Sequence, residues 1–293
     1  MDDKTEQSNY TWLGLHIYYS GDADELLKRA IAPFINQWKN YFSPDSPWFF
    51  IRYWEGGSHI RVRFHASPAY HEQIKDSLNT DFFRFQHASF KVEKVLTVKY
   101  DPEIDRYGNE TSMAWAEQHF AASSSYILNW LLIRNTTSQI TLQAIQLHLI
   151  LLFSTKLKSG NIIDICDFFI NGWLSRLYRP EFSIEKEKEH WLNQFQEAFS
   201  SRKEMICLAA KSFWNELTEN VLNDDLVKYS MSNQEVMNQY RNAAFGESKF
   251  QEIISSLMHM TNNRLGIANQ EEAYLMYVVK TCIKSIYREN YSN

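Results

Sequence analysis

An α+β fold is predicted for this chain, with an N-terminal ferredoxin-like βαββαβ sheet unit packed against a C-terminal, mostly helical half. Three observations predict it. The first hundred residues alternate aromatic and β-branched runs with helical patterns; from Glu110 onward apolar residues recur at helical spacing through at least six segments; and only nine glycines and six prolines punctuate 293 residues, leaving little room for long linkers. The chain is accordingly read as one domain, 1–293, with a sheet-containing part over 1–108 and a helical part over 109–293.

The elements follow in order. A first strand is expected at 12–19 and a helix at 22–42. Strands at 48–54 and 59–65 come next, then a helix starting near Ser67-Pro68, where serine can cap and proline fits the first turn. A fourth strand covers 90–100. In the helical half, turn chemistry at Asn135-Thr136-Thr137, Lys158-Ser159-Gly160, Arg179-Pro180 and Asn223-Asp224-Asp225 separates the segments. Glu185, Glu187 and Glu189, interleaved with Lys186 and Lys188, read as a solvated helix start. The longest apolar stretch, Leu142 to Phe153, is interrupted by Gln143, Gln146 and His148 and is too short to span a bilayer, so it reads as a buried helix.

The hairpin of the second and third strands carries Arg52, Arg61 and Arg63 around a Gly56-Gly57 turn. Centring the turn on the two glycines sets Arg52 opposite Arg61 and Phe50 opposite Arg63. Alternation puts His59, Arg61 and Arg63 on one face and Ile60, Val62 and Phe64 on the other, apolar one. Like charges directly opposite each other cost roughly 0.2–1 kcal/mol. The positive crowd therefore has two readings: a seat for a bound carboxylate or phosphate, or a basic edge that blocks sheet-to-sheet pairing.

Composition narrows the function classes. A net charge of −5 and a pI of about 6.0 argue against a general nucleic-acid or acidic-membrane binder and make the arginine cluster a local feature. Cys166, Cys207 and Cys282 are odd in number and lack CxxC spacing, so they read as buried thiols of a reducing compartment. The N-terminal Met-Asp-Asp-Lys-Thr-Glu-Gln lacks the regions of a signal peptide, which places the expected location in the cytoplasm. No P-loop, GxGxxG or GxSxG motif is present, and Ser123-Ser124-Ser125 has no identifiable base. The nine histidines form no HExxH or comparable ligand spacing, so neither a metal site nor a cofactor is expected.

Two further segments stand out. Tyr100-Asp-Pro-Glu-Ile-Asp-Arg106-Tyr107-Gly108-Asn109 follows the last strand, where a loop can carry function on a rigid support. His259-Met-Thr-Asn-Asn263-Arg264-Leu-Gly266 ends a helical pattern, with glycine as the cap and His259 and Asn263 on one helix face. Taken singly, His259 reads as a satisfied structural histidine and Arg264 as a partner of the helix C-terminus.

Together, "FIRYWEGGSHIRVRF", "YDPEIDRYGN" and "HMTNNRLG", in this order and spacing, resemble the C-terminal elimination domain of lantibiotic dehydratases, also called the thiopeptide-type bacteriocin biosynthesis domain. The resemblance runs from about Trp12 almost to the C-terminus, so it implies a stand-alone elimination domain without the large glutamylating domain. In that family a Ser or Thr of a ribosomally made precursor peptide is first esterified with glutamate from glutamyl-tRNA by the other domain, and the elimination domain expels the glutamate. Carried over by residue, the resemblance makes Arg61, Arg63, Arg106 and His259 catalytic and puts Arg52, Asn263 and Arg264 in substrate-binding motifs. Asn109 stands where a second glycine is usual, and Thr261 where many relatives have another histidine. The implied partners are the glutamylated precursor and a separate glutamylating subunit, with no direct nucleic-acid contact, no membrane span, and a homodimer as one allowed assembly. Two alternatives remain open: a pyridine synthase performing a formal aza-[4+2] cycloaddition with release of the leader peptide, and a non-catalytic peptide-binding subunit.

Overall fold

The computed structural model describes residues 10–42, 48–84, 87–134, 139–268 and 270–290. They divide into two compact units, one of residues 1–103 and 113–135, the other of residues 104–112 and 136–293. The Asn135-Thr136-Thr137 turn signal and the N-terminal heptapeptide lie outside the described residues.

The first unit holds a four-stranded sheet. Its strands are β1 (Thr11–Gly21), β2 (Trp48–Tyr53), β3 (His59–Ala66) and β4 (Phe90–Val98), in the spatial order β2-β3-β1-β4 with every neighbouring pair antiparallel. Alternation in sequence becomes burial in space. Leu13, Leu15 and Ile17 of β1 sit directly opposite Phe64, Val62 and Ile60 of β3, and all six are buried.

Between β1 and β2 the expected single helix is segmented. Asp22 caps α1 (Ala23–Leu26) by accepting from the Asp24 and Glu25 amides at 2.8 and 3.2 Å. A π-helical turn, Leu27–Ile31, then leads into α2 (Ala32–Trp38) and a 3₁₀ turn, Lys39–Tyr41. Pro33 lacks the N–H that an α-helical ladder needs there, and the wider turn carries the Ala32 amide to the Leu27 carbonyl instead. Helix α3 (Pro68–Arg84) joins β3 to β4. Helix α4 (Glu110–Ile133) counts with the sheet from Met113 onward. There Ser124 Oγ accepts the Phe50 amide at 3.1 Å, which occupies a backbone donor on the outer edge of β2.

The hairpin register differs from the expected one by a residue. Arg52 pairs with Ile60, Ile51 with Arg61 and Phe49 with Arg63, so the turn is centred on Gly56 rather than between the two glycines. The Gly57 amide donates to the Trp54 carbonyl at 3.1 Å, and Gly56 and Gly57 both take positive φ, at 75° and 107°. A one-residue slip moves a side chain to the other face of the sheet. Arg52 therefore shares a face with Ile60 and Val62, opposite to Arg61 and Arg63.

The second unit is helical: α5 (Ile140–Ser154), α6 (Ser159–Leu174), α7 (Ile184–Ser200), α8 (Lys203–Glu219), α9 (Asp224–Asn242), α10 (Glu247–Leu265) and α11 (Gln270–Asn290). Helix α5 is buried almost all round, as its predominantly apolar sequence requires, and Gln143 and His148 are buried with it. No described helix is long and apolar enough to cross a membrane. Ser183 and Asn223 cap α7 and α9, and Gly266 closes α10 at φ 81° with its amide on the Asn263 carbonyl. The charge-rich start of α7 is not wholly solvated. Glu187 is only 2% exposed and accepts Arg179 Nε and Nη2 at 3.0 and 2.7 Å, an ion pair that holds the preceding loop to the helix.

Candidate functional site

On the polar face of the sheet, alternation along β3 delivers His59, Arg61 and Arg63 together, flanked by Phe49 and Tyr53 of β2 and His16 and Tyr18 of β1. His59 is not a third charge. Its Nδ1–H donates to the Gly57 carbonyl at 2.7 Å while Nε2 accepts Arg61 Nε at 3.1 Å, which leaves the ring neutral. Burial, with Arg61 and Arg63 nearby, also moves its pKa down. The ring stacks on Tyr18 and His16 at 4.5 and 4.9 Å, and Arg61 lies over Tyr53 with its central carbon 3.4 Å from the ring centre. Burial and the same two arginines push His16 down to about 4.

Arg63 is 8% exposed, and its Nε and Nη1 are buried with no hydrogen-bond partner among the described residues. Its guanidinium lies 5.0 Å from the Tyr100 ring centre and 5.6 Å from that of Phe49. Burial lowers its pKa to about 10, so it stays charged at neutral pH. A charged group with orphaned donors is costly unless an anion completes it. Arg52, on the opposite face, bonds Asp24 Oδ1 at 2.5 Å, and Arg134 takes the other oxygen of the same carboxylate.

The helical unit contains a pocket of about 590 Å³ whose lining includes Arg106, Trp173, Arg176, Lys249, Ser256 and His259. Arg106 reaches it from the 3₁₀ turn Ile104–Tyr107, with Nε 3.0 Å from Ser256 Oγ. The rest of the Arg-Tyr-Gly motif anchors that turn. Tyr107 is buried, and its carbonyl accepts the Ser112 and Tyr240 hydroxyls at 2.8 and 3.1 Å. Gly108 sits at φ 115°, where a Cβ would lie 2.5 Å from both the Phe245 ring and Ser112 Oγ. Asn109 then caps α4 reciprocally, its Oδ1 accepting the Ser112 amide at 3.0 Å and its own amide donating to Ser112 Oγ at 2.8 Å.

His259 is held from behind by an acid. Its Nδ1 bonds Glu272 Oε2 at 2.9 Å and Oε1 at 3.1 Å, leaving Nε2 as the nitrogen available for chemistry. Glu272, 1% exposed, also accepts Asn262 Nδ2 at 3.2 Å, and Asn262 Oδ1 accepts His148 Nε2 at 2.7 Å. His148 is fully buried, and burial pushes it down to about 4. Arg264 is also fully buried and donates Nη1 to the Met260 carbonyl at 2.8 Å in the last turn of α10, while Asn263 is 8% exposed beside it.

Of the residues singled out by sequence, Arg61 and Arg63 share the sheet face, and Arg106 and His259 line the helical pocket. Arg52, Asn263 and Arg264 do not line that pocket. Glu272 and Glu117 escaped the sequence reading, although each carried a signal. Glu272 falls on the apolar stripe Leu275, Met276 and Val279 of α11, and Glu117 on the stripe Met113, Phe120 and Ser124 of α4.

These features belong to a recognised family. Residues 12–283 match the lantibiotic biosynthesis dehydratase C-terminal domain, and the chain belongs to that family. Subtilin biosynthesis protein SpaB of Bacillus subtilis is 29% identical over 126 residues, which cover 43% of this chain and 12% of SpaB. The tRNA-dependent lantibiotic dehydratase MibB from Microbispora sp. 107891 has a similar structure, with a TM-score of 0.66 at 18% identity over 95% of this chain and 28% of MibB. The pyridine synthase TbtD from thiomuracin biosynthesis gives 0.66 at 12% identity, over 95% of this chain and 99% of TbtD. TsrL gives 0.62 at 12% identity, over 96% of both chains. The chain thus spans a small part of the dehydratases it matches and nearly the whole of TbtD and TsrL.

Proposed function

We propose that this chain is a lyase that eliminates glutamate from glutamylated Ser or Thr of a ribosomally made precursor peptide, giving dehydroalanine or dehydrobutyrine. In this reading it acts as the second half of a split dehydratase whose glutamylating half is a separate subunit. The observation that carries it is Arg63, a buried cation with orphaned donors beside Arg61, in a chain of the dehydratase C-terminal family. The sheet order β2-β3-β1-β4 also supports the ferredoxin-like reading of the first unit.

The chemistry assigns the roles. Elimination breaks the Cα–H bond of the esterified residue; that electron pair becomes the Cα=Cβ bond, and the Cβ–O pair leaves on the glutamate carboxylate. Arg61 and Arg63 hold the carboxylate of the glutamyl group, and Arg106 stabilises charge on the enolate or the leaving group. His259, oriented through Nδ1 by Glu272, transfers a proton at Nε2. Arg52 braces the sheet from its other face through Asp24. Arg264 and Asn263 hold the last turn of α10, from which His259 projects one turn earlier.

Incubation of the purified protein with a glutamylated precursor tests this. Mass spectrometry is expected to show one glutamate released per dehydro residue, and Arg61→Ala or His259→Ala to slow release on the order of 100- to 1,000-fold. No release from a verified substrate defeats the reading. Dehydration untouched in those variants but lost on removal of the protein supports a non-catalytic subunit instead. The near-complete coverage of TbtD favours one second reading, pyridine formation by a formal aza-[4+2] cycloaddition. A peptide already bearing dehydroalanines separates the two, since cyclisation yields a macrocycle and free leader peptide without glutamate.

A further inference from the structure

Glu117 lies on the polar face of the sheet among groups that favour its ionised form, yet burial holds its pKa above the usual carboxylate range. Trp12 Nε1 and the Tyr100 hydroxyl hydrogen-bond to its carboxyl, and Arg63 acts on it through space, but burial outweighs all three and pushes the acid up to about 7. Arg63 Nε and Nη1 meanwhile have no partner among the described residues, so the carboxyl is not bonded to those atoms. Close guanidinium and carboxylate groups on a dry face collapse into a bidentate pair when nothing prevents it. Here Trp12 and Tyr100 hold the carboxyl, while the Phe49 and Tyr100 rings flank the guanidinium. A carboxylate with two donors still has acceptor capacity to spare. The face therefore offers a cation with two buried donors unpartnered among the described residues and, bonded instead to Trp12 and Tyr100, an acid with acceptor capacity beyond those two donors. A ligand that carries both charges satisfies both.

A glutamyl ester is such a ligand, because one carboxyl is esterified while the second carboxylate and the α-ammonium stay free. We propose that Glu117 is a specificity-determining residue of the elimination reaction, accepting a hydrogen bond from the glutamyl α-ammonium while Arg63 holds the free carboxylate. This rests on the elimination reading above and adds to it what distinguishes glutamate from any other five-carbon diacid. It also gives the high carboxyl pKa a use, since an ammonium beside the acid favours its ionised form and the arriving acyl group completes an ionisation that burial opposes.

The test compares two precursor esters, glutamyl and glutaryl, the second identical except for the missing amino group. Wild-type protein is expected to release glutamate with kcat/KM at least about tenfold above that for glutarate, the scale of one buried charge-assisted contact. Glu117→Gln is expected to lose that preference by slowing glutamate release while glutarate release holds or rises. A wild-type glutamyl-to-glutaryl ratio near one overturns the proposal whatever the variant does, and so does a variant that keeps the wild-type ratio. Should Glu117→Gln fold poorly, Glu117→Asp and the wild-type ratio decide it. Release of neither acid by the wild-type protein instead defeats the elimination reading itself.

Discussion

His148 and Glu272 show how single residues on the apolar side of a helix bear on the chemistry at its edge. His148 must stay neutral in the folded protein, with its pKa at about 4, whereas an unfolded histidine titrates near 6.5. Between those values the unfolded state binds more protons, so stability rises with pH across the window and is lost as pH falls from 6.5 toward 4. The linkage amounts to about 3 kcal/mol for a fully buried group. Urea unfolding of wild type and His148→Gln at pH 7 and pH 4 is expected to show a smaller acid loss in the variant by roughly that amount; equal losses would contradict it. His16 works in the same direction and is present in both proteins, so the difference isolates His148. Glu272→Gln keeps an acceptor for His259 but removes the charge, and steady-state kinetics of glutamate release are expected to show kcat down about 10- to 100-fold with KM little changed. Neither role was legible from residue type alone. A histidine in an apolar run and an acid in an acidic first turn have many bland precedents, and only the stripe on which each falls hints at burial.

Among the elements, what could be read from sequence depended on whether local chemistry decided the outcome. The four strands emerged within a few residues of their expected bounds because alternation and turn residues are local signals. The hairpin register did not. Two adjacent glycines allow two centres, and the choice of Gly56 was made by the pairing of Phe49, Ile51 and Tyr53 with β3, which sent Arg52 to the other face. The helix at 22–42 was expected to be continuous, and the missing N–H of Pro33 explains why it is not. Asn109, which departs from the usual second glycine of its motif, turns out to do a job that glycine also does tolerably, capping α4. Asn109→Ala is therefore expected to cost about 1 kcal/mol in urea unfolding, and Asn109→Gly only a few tenths. An alanine variant as stable as the wild type would show that the cap contributes nothing.

At the scale of the whole molecule, the chain covers 95% of its own length against 28% of MibB, so the proposed division of labour can be tested with the chain as it stands. In the proposed reading the groups assigned to elimination act on an ester already formed: the arginines would answer carboxylates and His259 would carry one proton, while a net charge of −5 offers no general attraction for a tRNA. Supplied with an unmodified precursor peptide, glutamyl-tRNA and no other protein, this chain is expected to leave the peptide mass unchanged. Supplied with the same peptide already glutamylated, it is expected to lower the mass by one glutamate for each esterified residue. Adding a separate glutamylating enzyme to the first mixture should restore the full sequence, with the dehydrated product lighter by one water per modified Ser or Thr. Dehydration in the first mixture would mean that the chain activates the hydroxyl itself, and the arginine-lined face would then have to serve the acyl transfer to that hydroxyl as well as the later elimination across Cα–H and Cβ–O.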